Sequence, residues 1–372
     1  MIQARTASTT ETMSFRERFD ALIAGDEMDR FPVWLKMTNP TWKTSQPEPY
    51  CTMGAVELLE EAGCDLLVGN GIKVHKTPPH AEIAVERRDG VRRTVARTPD
   101  GTLVGEAKVD PYTQSWHPTK FMGGRREEAP KLRWLFRDTE YTVDAESVDR
   151  AKHARAEAVR RGDRVTKTGM GPSPLMALVE HLVGPVDTAY HLADMPEVME
   201  ELMEEMHRDN LRMLRARMPH EQADTLWMTE NTSTTLISPT QFRRYVAPRL
   251  REYAEIILAA GVVPVHHMCG TLNALLEDID ALPARANEAF TTRPLGDVSL
   301  TEGRTRMPSK ALIGGTNATL WMQPAETIIQ TVAEDLATCP DRRRIFLTSA
   351  GVLPACVSMD KARTVVAGLK RL

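Results

Sequence analysis

His267-Met268-Cys269 places an imidazole and a thiol two residues apart. On an extended strand, residues i and i+2 share a face, so both side chains can reach a single ion. Zinc takes thiolate and imidazole donors, at about 2.3 Å and about 2.0–2.1 Å respectively. Gly270 follows and lets the backbone turn away. Two further residues can complete such a site: Cys356 as a third ligand, and Glu288 as a displaceable fourth. An open fourth position is the mark of a catalytic zinc site, as opposed to a structural one. The bare pattern H-x-C also fits a buried histidine beside a free cysteine. Glu288 fits equally well as a solvated loop carboxylate.

Other residues carry weaker signals. Glu230 can act as an acid or position a substrate, with Asn231 beside it; both fit an ordinary polar rim as well. Thr316 and Asn317, in Gly-Gly-Thr-Asn, form a turn that can offer backbone amides to a bound cofactor. Capping by Asn317 explains the same residues. Trp227, Met228, Trp321 and Met322 suit the wall of an apolar pocket and suit core packing equally. His266 should face away from His267 and serve packing or support the ligands from behind, without binding the ion. Cys64 reads as a core thiol, and Cys51 and Cys339 as structural.

These residues must be held by a frame. Ser14 and Glu17 form a capping box before a helix whose Phe15, Phe19, Leu22 and Ile23 recur at helical period. Short apolar strands then alternate with helical segments. The strands are DRFPVWLKM, CDLLVGN, DRVTKTGMG, DTLWMTE, VVPVHHMCG, ANEAF, ALIGGT and RIFLTSA. Such alternation demands a parallel sheet, and eight units in one domain favour closure into a (β/α)₈ TIM-type barrel. Neither G-x-G-x-x-G after the first strand nor G-x-x-x-x-G-K-[ST] occurs, which removes support for dinucleotide and P-loop readings. In a barrel the active site lies at the C-terminal ends of the strands. The strand ends here include Met37, Asn70, Glu230, His267 to Gly270, Glu288, Thr316, Asn317 and Ser349 to Cys356.

One stretch breaks the alternation. Residues from 75 to about 140 alternate polar and apolar positions around two turn signals, Arg-Asp-Gly and Pro-Asp-Gly. That is the grammar of an antiparallel meander. It predicts an inserted β-ribbon after the second strand, too short and charged to hold its own core, which either covers the barrel mouth or builds a homodimer contact. Residues 1–13 are polar and are expected to be a disordered lead, with the catalytic domain over 14–372.

The composition narrows the function. A net charge of −4 leaves no basic footprint, which argues against nucleic acid as a partner. No run of about 18 apolar residues suggests a membrane helix, and the polar start has no apolar signal core; a cytoplasmic location is expected. Five cysteines in so long a chain point to free thiols or metal ligands in place of a disulfide framework.

Several segments together resemble the uroporphyrinogen decarboxylase superfamily, and within it the cobalamin-dependent methyltransferases. They are RERFDALIAGDEMDRFPVW, SPTQFRRYVAP, HHMCG, ALIGGTNA and SAGVLPACVSMDKARTVV. HMCG is the most specific, because the methylcobalamin:coenzyme M methyltransferases carry H-x-C…C as zinc ligands. The resemblance implies that His267, Cys269 and Cys356 bind zinc. Cys356 departs from the pattern, standing a few residues beyond Gly351, where the family cysteine usually follows the glycine directly. The chain also lacks the arginine-rich segment that decarboxylases place after the first strand; KMTNPTWKTSQPEPY stands there. The implied activity is methyl transfer between a corrinoid, carried by a separate corrinoid protein, and a small thiol or other methyl donor or acceptor. A metal-independent decarboxylase or lyase, and a non-catalytic zinc- or corrinoid-binding protein, are the alternatives.

Overall fold

The computed structural model describes residues 11–111 and 114–372. Eight parallel strands build the frame: β1 (Val33–Trp34), β2 (Leu66–Gly69), β3 (Arg164–Met170), β4 (Thr225–Thr229), β5 (Val263–His267), β6 (Ala286–Phe290), β7 (Ala311–Gly314) and β8 (Ile345–Thr348). They lie side by side in chain order from β2 through β8, and β1 pairs with β8. Helices follow the strands, so the architecture is the expected (β/α)₈ barrel. A continuous cluster of buried apolar side chains joins the strands to the helices.

Between β1 and β2 no ladder forms, and Asp65 closes that seam. Its backbone N–H donates to Val33 O at 2.8 Å, and its carboxylate accepts from Val33 N at 2.7 Å. Arg30 grips the same carboxylate with two bonds of 2.8 Å each. A backbone group left unpaired inside a protein is costly; here a side chain stands in for the missing strand neighbour. The opening helix, Phe15–Ala24, has the predicted capping box at Ser14 and Glu17. Of the expected disordered lead, residues 1–10 lie outside the described residues. Glu11 pairs with Arg30, and the amides of Thr12 and Met13 donate to Asp29.

The ribbon is present. Its stem pairs Val74–Thr77 with Glu140–Val143. Beyond it, Glu82–Arg88, Val91–Thr98, Gly101–Val109 and Trp116–Lys120 form a four-stranded antiparallel sheet. One face buries Ala96, Leu103 and Ala107. Ala96 and Leu103 share the molecule's main apolar cluster with Leu132 of the short 3₁₀ segment Ala129–Leu135. That shared burial is how a charged meander without its own core stays ordered. No helix of the described residues is long and apolar enough to cross a membrane.

Candidate active site

Barrel geometry brings the C-terminal halves of six strands around a cavity of about 470 Å³ lined by Trp34, Lys36, Lys167, Trp227, His267 and Glu288, among others. His267 and Glu288 are register partners on β5 and β6, which points their side chains to the same side. His267 Nδ1 hydrogen-bonds a Glu288 carboxylate oxygen. The other oxygen of Glu288 meets Lys36 Nζ at 2.6 Å, and Lys36 also donates to Ala350 O at 2.6 Å. Glu288 is fully buried.

The electrostatics of this trio follow from that geometry. Burial works against the charged Glu288 carboxylate, but Lys36 and His267 outweigh it and hold its pKa below the usual range. Burial works against protonated His267 too, and is outweighed by its bonds with Cys269 and Glu288, so its pKa is raised to about 9. Burial pushes the pKa of Lys167 down. The Lys167 ammonium stands 4.7 Å from the Trp34 ring centre and 4.2 Å from that of Trp227. The two indoles themselves meet edge to face at 5.9 Å.

Cys269 continues the chain of contacts away from the cavity. Its thiol donates to Asn231 Oδ1 at 3.5 Å, and Asn231 Nδ2 donates to Glu180 Oε2 at 2.7 Å. Glu180 Oε1 is buried without a partner, and burial raises the pKa of that carboxyl. Glu180 sits in a single π turn, Leu178–Leu182, a distortion frequent at functional sites. The backbone is shaped at the same rim. Gly270 has φ +105°, and a Cβ there would stand 2.8 Å from Ser233 Oγ, so the turn after Cys269 requires glycine. Asn231, Ala289 and Ala350 hold positive φ of 47°, 60° and 56°, a conformation uncommon outside glycine. Ala289 marks the bulge between Glu288 and Phe290.

The remaining predicted residues stand as follows. Glu230 is fully buried, taking bonds from the amide and hydroxyl of Ser173; burial raises its pKa to about 7. Thr316 donates to Thr348 O at 2.6 Å and accepts from Trp321 Nε1 at 2.9 Å. Asn317 donates to Arg293 O and accepts from Leu320 N. Both side chains are thus engaged by protein partners, in their own loop and at the ends of the neighbouring strands. Cys356 is exposed, with Sγ 3.4 Å from Met322 Sδ. Among the described residues, no three His, Cys, Asp or Glu side chains stand where they could hold one ion together. The donor types of His267 and Cys269 suit zinc, and a carboxylate bonded to the other nitrogen of a ligating histidine is the usual arrangement around such metals. What the geometry supplies is therefore two adjacent donors and an orienting Glu288, with Cys356 apart. His266 is buried with its pKa pushed down to about 3, a neutral packing residue as expected. Burial likewise pushes the Cys64 thiol up to about 12.

Sequence reasoning missed Lys36, Lys167, Glu180 and Trp34. A signal existed for Lys167: a lone lysine inside the buried-strand pattern of RVTKTGM is out of place unless it faces a site.

A family model for uroporphyrinogen decarboxylase (URO-D) matches residues 140–371. The chain belongs to that family. The match begins at the ribbon's returning stem strand, Glu140–Val143, so the four-stranded sheet stands outside it. Among solved structures, a methyltransferase from Methanosarcina mazei is similar over 96% of this chain and 99% of its own, at 17% identity and a TM-score of 0.60. A protein from Listeria monocytogenes described as a candidate vitamin-B12 independent methionine synthase is similar over 56% of this chain and 64% of its own, at 15% identity and a TM-score of 0.39. The first likeness shows a shared fold. No curated protein matches the chain in sequence.

Proposed function

We propose that this chain is a methyltransferase of the uroporphyrinogen decarboxylase superfamily. It moves a methyl group between a small substrate in the barrel cavity and a corrinoid carried by a separate protein. The observation that carries the reading is His267, fixed by Glu288 in the lining of the cavity with Cys269 against it. Family membership and a fold shared with a methyltransferase support it.

Zinc belongs to this reading at His267 and Cys269, where it would lower the pKa of a substrate thiol or polarise the atom that bears the methyl group. The chain's own residues do the rest. Glu288 fixes the ring orientation of His267, and Lys36 keeps Glu288 ionised. Trp34 and Trp227 wall the cavity. Without the metal, the Cys269 thiol donates to Asn231 Oδ1, and Asn231 Nδ2 is in turn held by Glu180.

Two measurements test the reading. Untagged protein should contain about one zinc per chain, and His267→Ala or Cys269→Ser should each lose most of it. Cys356→Ser should change zinc content less than either, because that thiol rests on Met322. Methylcobalamin should be demethylated in the presence of a panel of small thiols, as followed by its visible spectrum, and not by the two variants. Full activity after exhaustive chelation would overturn the zinc assignment. Absence of any corrinoid turnover, together with decarboxylation of an acid substrate, would overturn the methyltransferase itself.

A further inference from the structure

The four-stranded sheet of the ribbon has two edges, and they are built differently. Trp116–Lys120 forms one. It contains Pro118, and its pairing with Gly101–Val109 shifts register between Glu106 and Ala107. A proline and a register irregularity both discourage a sheet from pairing with another chain. Glu82–Arg88 forms the other edge and has neither. It pairs with the neighbouring strand residue for residue, from Glu82–Arg97 to Arg88–Val91, without a shift. Every residue of this edge is exposed, Ile83 by 46% and Val85 by 52%. Among the described residues no strand pairs with its outer side. Ile83 is in register with Ala96, and Ala96 with Leu103, both of them fully buried. The exposed pair thus continues an apolar row that runs into the main core.

Charge is the remaining defence of this strand, and it works only where like charges meet. Here the order is acidic first and basic last: Glu-Ile-Ala-Val-Glu-Arg-Arg. Two copies can pair antiparallel about a two-fold axis perpendicular to the sheet. Side chains alternate with period two, so such registers are centred on a residue. Centring on Ala84 sets Glu82 opposite Glu86. Centring on Glu86 or Arg87 sets that residue opposite its own copy. Centring on Ile83 leaves most of the strand unpaired. Centring on Val85 pairs the whole strand: Glu82 with Arg88, Ile83 with Arg87, Ala84 with Glu86, and Val85 with itself. No like charges then stand directly opposite, and symmetry makes the Glu82–Arg88 pair twice. Glu82 also meets Arg97, and Arg88 meets Asp89, each at 3.2 Å. Both are solvent-exposed pairs, which hold their partners weakly.

We propose that the Glu82–Arg88 edge is a self-association surface, on which two copies of this chain pair antiparallel about Val85 and join their ribbons into one continuous sheet. The surface lies in the part of the chain that the uroporphyrinogen decarboxylase model leaves unmatched. It is independent of the chemistry at the barrel mouth.

The test is sedimentation equilibrium of the full chain. A contact confined to one strand edge is small, so a monomer–dimer equilibrium in the micromolar range is expected. Glu82→Arg and Arg88→Glu each set like charges together twice per dimer and should weaken association roughly 10- to 30-fold. The double variant Glu82→Arg/Arg88→Glu restores opposite charges in this register and should recover most of the affinity. Under mild oxidation Val85→Cys should cross-link two copies. Ile83→Cys should cross-link no more than the wild type, because its two copies stand about 13 Å or more apart along the strands, beyond disulfide reach. A monomer at every concentration, or a dimer indifferent to the single charge reversals, would overturn the proposal. So would a double variant no tighter than the singles, or equal cross-linking of Ile83→Cys and Val85→Cys.

Discussion

Replacing Glu288 with Gln tests the electrostatic core of the site. In the wild type the pKa of His267 is raised from 6.5 to about 9. At about 1.36 kcal/mol per unit, this corresponds to roughly 3 kcal/mol in favour of the protonated ring. Burial opposes that shift, so the bonds from Cys269 and Glu288 supply more than the net figure. The sign is that of a base raised on folding: the stabilisation is complete below the unfolded value near 6.5 and is lost as pH rises through about 9. Chelator-treated wild type should therefore lose roughly 3 kcal/mol between about pH 6.5 and pH 9.5. Glu288→Gln removes the counter-charge and should return the His267 pKa toward or below 6.5, flattening that slope. Histidine-selective ¹³C labelling reads the titration directly; the chain has 10 histidines, and His267→Asn identifies the signal. Urea midpoints across the same pH range read the stability. A wild-type His267 that titrates near 6.5, or a high value that persists in Glu288→Gln, would refute the reasoning.

Two further expectations concern the frame. Asp65→Asn leaves Arg30 buried without its bidentate partner at the open seam of the barrel, and breaking a buried pair costs about 3–5 kcal/mol. With unfolding entropy of about 2.1 cal/mol/K per residue, that predicts a Tm lower by roughly 4–6 °C in calorimetry. An unchanged Tm would show that the seam is held elsewhere. Glu230, with its pKa raised to about 7 by burial, favours folding while protonated, so its contribution fades as pH rises from about 4.5 through 7. Glu230→Gln should abolish that decline in chemical denaturation, whereas an identical pH profile would show that Glu230 does not titrate there.

The barrel was legible because its signals are local and repeated. Capping at Ser14, apolar runs at each strand and turn residues around the ribbon all act within a few positions, and each is where the pattern places it. The seam was not legible. That Asp65 substitutes for a strand partner depends on how far apart β1 and β2 end when the barrel curls, and no local rule contains that distance. The same distinction runs through the site. His267 and Cys269 were readable because i and i+2 on one strand share a face whatever the fold does next.

Glu288 shows where that kind of reading changes meaning. Its place at the strand end was readable, but its role depends on what stands across the barrel. Lys36, just past the end of β1, takes one oxygen, and His267 takes the other. A carboxylate held at both oxygens by cations cannot be displaced by a substrate without leaving Lys36 unpaired in a buried place. Glu288 is thus better suited to orient His267 than to act as the departing ligand that its spacing suggests. Cys356 shows the converse: correct in type and near in sequence to the right strand, it lies on an exposed loop against Met322. Barrel closure decides which strand-end residues meet. For the cavity, it selects two lysines and two tryptophans that no spacing rule had grouped.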